Sequence, residues 1–136
     1  MTWAHSLIKL AGYEVEVLQK RLSEIVDRRL AREAAVARLV LEADVEKARA
    51  IREPEATHGL GAYLEGVKQR RAAIQAEIVA IQLEEAGARD ALAQAFEAQK
   101  KYEQVAETAR VVEAKAAGRR ETAALDELGM RKAAGR

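Results

Sequence analysis

A chain of 136 residues is about one small domain, and five aromatics set against a one-third charged composition leave few large side chains for the shared core of a compact globule. With 23 basic and 22 acidic residues the net charge is +1, which argues against a dedicated nucleic-acid binder with its clear basic excess. The sequence contains no cysteine, so disulfides, thiolate metal sites and thiol nucleophiles are excluded.

The opening stretch MTWAHSLIKLAGYEVEV has no long apolar segment of the kind a signal peptide needs, and no run in the chain approaches the ~20 apolar residues of a membrane span. The expected location is the cytoplasm. From Ile8 the apolar residues recur at alternating gaps of three and four: Ile8, Ala11, Val15, Leu18, Leu22 and Ile25. This is the a/d seam of a coiled coil. The same phase passes through Arg29 and Arg32, then resumes at Val36, Leu39 and Ala43, and continues through Glu46 to Ala50. No proline or glycine interrupts it between Gly12 and Pro54. The pattern predicts a first helix over about 4–52.

The break comes at the only proline. Pro54 lacks a backbone N–H and holds the preceding residue extended, so the helix ends there. Thr57 is the expected cap of the next helix, and Gly59 and Gly61 permit tight geometry in a turn over about 53–59. A second helix is predicted over about 60–128. Its seam reads Leu64, Val67, Arg71, Ile74, Ile78, Ile81, Glu85, Ala88, Leu92, Ala95, Gln99, Tyr102, Ala106, Ala109, Glu113 and Ala116. Every second a-type position from Arg71 to Glu113 is polar, and such layers can set register and partner choice.

Two helices joined by a short turn lie antiparallel. With residues near 52 and 60 facing each other, Ile25 meets the level of Ala88, Leu18 meets Ala95, Val36 meets Ile78 and Leu39 meets Ile74. Arg29 then falls beside Glu85, and Glu46 within about a turn of Arg71. The polar interruptions of the two seams would oppose each other with opposite charge. The predicted fold is all-α: a single long antiparallel two-helix coiled-coil hairpin over 1–136, with helix two longer than helix one. Its overhang would begin near Arg110. Residues 53–96 carry four basic and seven acidic groups and residues 97–136 carry nine and seven, so the turn end is expected to be acidic and the end with both termini mildly basic.

Catalytic chemistry is not evident. His5 and His58 lie at opposite ends of such a hairpin, GLGAYLEG lacks the lysine and preceding strand of a phosphate loop, and paired carboxylates such as Glu84 and Glu85 have no pocket to desolvate them. No enzyme activity, cofactor or metal is expected. A scaffold that only dimerises as a parallel coiled coil is the competing reading, with Pro54 then a mere kink. A membrane-surface or nucleic-acid binder using the basic tail is the weaker one, because Glu121, Asp126 and Glu127 lie in the same tail.

LIKLAGYEVEVLQKRLSE near the start, FEAQKKYEQ in helix two and LDELGMRKAA near the end resemble the FliJ family of the flagellar type III export apparatus, and less specifically its injectisome counterparts. The likeness covers nearly the whole chain and is sharpest at Phe96–Glu103 and at Leu125–Leu128 followed by Arg131. The resemblance implies a non-enzymatic stalk, a monomer in isolation, that sits in the pore of the export ATPase ring, contacts the cytoplasmic domain of the export-gate membrane protein and handles export chaperones. It implies neither nucleic acid nor membrane insertion. Lys100, Lys101, Asp126, Glu127 and Arg131 match the family pattern. For the gate the candidates are Tyr63, Leu64 and Val67, although seam packing is the better account of Leu64 and Val67. For the ring they are Arg119, Arg120 and Arg131, with the segment Leu125–Leu128 also needed for function, although solvated cations near a helix C-terminus equally explain the arginines.

Overall fold

The computed structural model describes residues 2–135. Helix α1 spans Thr2–Arg52, and helix α2 spans Leu60–Ala134. Between them lies a single 3-10 turn, Pro54–Thr57. Alanine, leucine, arginine, lysine and glutamate dominate both helices, and these residues lose little on entering a helix. The fold is therefore the expected all-α hairpin with the second helix the longer. Helix α2 runs past residue 128, where the sequence pattern fades. Gly118 and Gly129 each weaken it by about 1 kcal/mol relative to alanine, but Arg131 bonds Glu127 one turn back at 3.0 Å across Gly129.

Glu53, the residue before the proline, is extended at φ −122° and ψ 97°. Its N–H still donates to the Arg49 carbonyl at 2.8 Å, closing the last turn of α1. Thr57 does not cap α2. Its hydroxyl donates to the Pro54 carbonyl at 2.6 Å and closes the 3-10 turn instead. Gly59 starts the second helix: its φ is +77°, and its carbonyl accepts the N–H of Tyr63 at 3.0 Å. The positive φ lets the chain reverse where a side chain would be strained. Gly61 has no positive φ and lies within the first turn of α2.

The chain divides into two compact units, to both of which each helix contributes. One is Glu16–Ala93 and holds the turn. Its helices run antiparallel, with Ile25, Ile81 and Ala88 buried against one another and Leu22 packed on them. Ala43, Ala50 and Val67 are buried nearer the turn. Burying a larger aliphatic side chain such as Ile25, Ile81 or Val67 contributes about 1.5–3 kcal/mol, and an alanine methyl less. The other unit comprises Met1–Val15 and Gln94–Arg136. Ala4, Ala11, Val15 and Ala95 form its buried seam. Gly12 stands against Gln99, whose Nε2 would be 3.6 Å from an added Cβ, an ordinary contact. From residue 117 to residue 135 every position is exposed.

Candidate interaction surface

In the unit that holds the turn, one polar layer lies within the apolar seam. Arg29 and Glu85 meet there, Nε to Oε2 at 3.0 Å and Nη2 to Oε1 at 3.3 Å. Arg89 donates to the same carboxylate at 3.1 Å, and Arg29 also reaches Glu33 at 3.0 Å. Glu85 is the buried charged residue of the described chain. Hydrogen bonds from Arg29 hold its carboxyl below the usual glutamate range, against burial, which acts in the opposite direction. Outside the seam, Arg28 meets Glu84 at 2.7 Å and Arg32 meets Glu77 at 3.2 Å. The Arg28 hydrogen bond likewise lowers the Glu84 pKa.

The three other polar seam positions of α2 behave differently. Arg71 is exposed and makes no ion pair with Glu46, which is half-buried. A long arginine stem can lie over the seam while its head reaches water. Glu113 is exposed and bonds Arg120 along its own helix at 3.1 Å. Gln99 is half-buried.

The residues expected to meet partners fall into two groups. Val67 is buried and Leu64 half-buried, so both serve the seam. Tyr63 is half-buried and lines a shallow groove with Leu41, Val45, Glu42 and Glu46 of α1. Leu41 and Val45 were not singled out from the sequence. Their four-residue spacing off the seam is the signal that could have found them.

In the unit that holds both termini, Lys100 is exposed, and Lys101 is exposed and lies 3.4 Å from Glu97. Arg119, Arg120, Asp126, Glu127, Leu128 and Arg131 all lie on the exposed stretch of α2. They are not gathered into one site: Arg120 bonds Glu113, Arg131 bonds Glu127, and Arg119 shares a groove with Lys115, Thr122 and Asp126. Leu125 and Leu128, three residues apart, form a small apolar ridge on this stretch.

The same unit carries two grooves where α1 begins. One is lined by Trp3 of α1 and Lys101, Gln104, Val105, Thr108 and Ala109 of α2. The other has an apolar floor that includes Ile8, Ala106, Ala109 and Val112, walled by Glu103, Glu107, Arg110 and Glu113. Arg110 hydrogen-bonds Glu107 at 2.8 Å and lowers its pKa. Among the described residues no group of acidic and histidine side chains is arranged to hold a metal ion, and no helix is long and apolar enough to cross a membrane. His58 lies exposed after the 3-10 turn.

No family model matches the chain. No solved structure matches it either. Two curated relatives do, each 50% identical over 132 residues, covering 97% of this chain and 95% of the relative. Both are named flagellar FliJ protein, from Caulobacter vibrioides strains NA1000 / CB15N and ATCC 19089 / CIP 103742 / CB 15. Identity of this extent, along the whole of a helical hairpin whose second helix is the longer, shows that the chain belongs to the flagellar FliJ family.

Proposed function

We propose that the chain is a non-enzymatic stalk and adaptor of the flagellar type III export apparatus. The unit with both termini enters the export ATPase ring, and the unit with the turn meets the cytoplasmic domain of the export-gate membrane protein. Export chaperones are the third class of partner. The observation that supports this most is the family relationship joined to the fully exposed stretch of α2 from residue 117 to residue 135. This stretch continues α2 with no packing partner of its own, and a partner surrounding it would use its exposed side chains. Arg119 and Arg120 on that stretch suit acidic walls, and Leu125 and Leu128 offer an apolar ridge. Tyr63, with Leu41 and Val45, is the corresponding candidate for the gate.

The test is the ATP hydrolysis rate of the same organism's export ATPase, titrated with the full chain and with a version ending at Ala109 whose helicity is checked by circular dichroism. Activation by the full chain and not by the shortened one is expected. Equal activation by both would place the ATPase contact elsewhere, and no effect from either would remove the stalk reading.

A further inference from the structure

The groove beside Trp3 belongs to a larger apolar face that neither helix covers. Trp3 and Leu10 lie seven residues apart on α1, and Val105 and Val112 lie seven apart on α2, so each pair shares one side of its helix. Trp3 and Val105 line the same groove, and Val112 lines the neighbouring one, the two grooves adjoining at Ala109. Trp3 is 54% exposed, Leu10 63% and Val112 61%. Tyr102, three residues before Val105, adds a partly exposed ring. Soluble proteins seldom leave such large side chains contiguous without use.

Charge around the face is uneven. At one end Lys101 is tied to Glu97. At the other, Lys115 and Arg119 stand four residues apart on α2 and make no ion pair with a described residue. Asp126 lines the same groove and offsets part of their charge, leaving the two cations in excess there. The face is narrow, one stripe of two residues on each helix, well short of the ~20–30 residues a side of a standard stable interface. It suits one helix laid along the face.

We propose that this face is a docking site for an amphipathic helix of a partner protein, with its apolar stripe on Trp3, Leu10, Val105 and Val112 and its acidic end over Lys115 and Arg119. The occupant is defined by that chemistry, and the site stands or falls independently of whether the chain stimulates an ATPase.

Trp3 is the sole tryptophan, so its emission reports on the face. The full chain is titrated with a designed 21-residue helical peptide carrying leucine at a and d positions and glutamate on its flanks, and in parallel with the same design carrying lysine in place of glutamate. The acidic peptide is expected to shift Trp3 emission to the blue in a saturable way. The Lys115→Glu, Arg119→Glu double variant is expected to weaken this at least tenfold, and Leu10→Lys to abolish it. Both variants are checked by circular dichroism and thermal melting, and Gln75→Lys, at an exposed position of the unit that holds the turn, serves as a folded control that leaves binding unchanged. Equal binding of both peptides, absence of any shift, or retained affinity in the charge-reversed variant overturns the proposal. So does sedimentation of the wild-type chain as a dimer with Trp3 already shielded, which would make a second copy the occupant.

Discussion

Arg29 and Glu85, on opposite helices, meet inside a mostly apolar seam through two hydrogen bonds, at 3.0 and 3.3 Å. The carboxylate takes a further bond from Arg89, so its lone pairs are well used. A satisfied ion pair of this kind gives orientation and register more reliably than net stability, because desolvation offsets most of its attraction. Removing one partner is different, since it leaves a charge in the seam uncompensated.

The first prediction follows from that asymmetry. Glu85→Leu and Arg29→Leu should each lower the thermal midpoint, while the Arg29→Leu, Glu85→Leu double variant should melt at or above the wild type. Circular dichroism melts decide it. A double variant less stable than the wild type would mean that the pair is a net stabiliser.

Acid should loosen the unit that holds the turn. Arg28 and Arg29 depress the pKa values of Glu84 and Glu85 in the folded chain. A depressed carboxyl contributes stability that is fully present above its unfolded pKa, about 4.3, and is lost as pH falls through the folded value. Urea midpoints should therefore hold steady from about pH 8 to about pH 5 and fall below about pH 4. In Glu85→Gln the fall should be shallower, and an unchanged acid slope would count against the assignment.

Ile81→Ala removes a buried side chain that packs on Ile25 and Ala88. A loss of about 2–4 kcal/mol is expected, with only partial relaxation of the seam. Leu128→Ala, on the exposed stretch of α2, should change the stability of the isolated chain by less than about 0.5 kcal/mol. Denaturant titrations of the two variants compare them directly. A large effect at Leu128 would mean that the stretch is already covered in the isolated chain.

Glycines at the turn should separate in the same way. Gly59→Ala forces a Cβ into a residue at φ +77° and should cost about 1 kcal/mol or more. Gly61→Ala meets nothing within 4 Å on a helical residue and should be neutral or stabilise by up to about 1 kcal/mol. Chemical denaturation of both variants checks this, and equal costs would show that the reversal does not depend on the left-handed glycine.

The sequence by itself determined the helix break at Pro54, the residues of both seams and the facing of Arg29 with Glu85. These rest on local chemistry: a missing N–H, a repeat of three and four, and the register that a short turn imposes on antiparallel helices. Arg71, Glu85 and Glu113 are equivalent in that repeat, yet only Glu85 is buried. The difference comes from what stands opposite each one, and a repeat along one helix does not contain that. Thr57 and Gly59 both suit the start of a helix. The tertiary path of the turn uses the threonine hydroxyl for Pro54 and gives the reversal to the glycine. The meeting of Trp3 with Val105 was also decided in three dimensions, because off-seam residues come together only through the side-by-side placement of two helices and the point at which the shorter one begins.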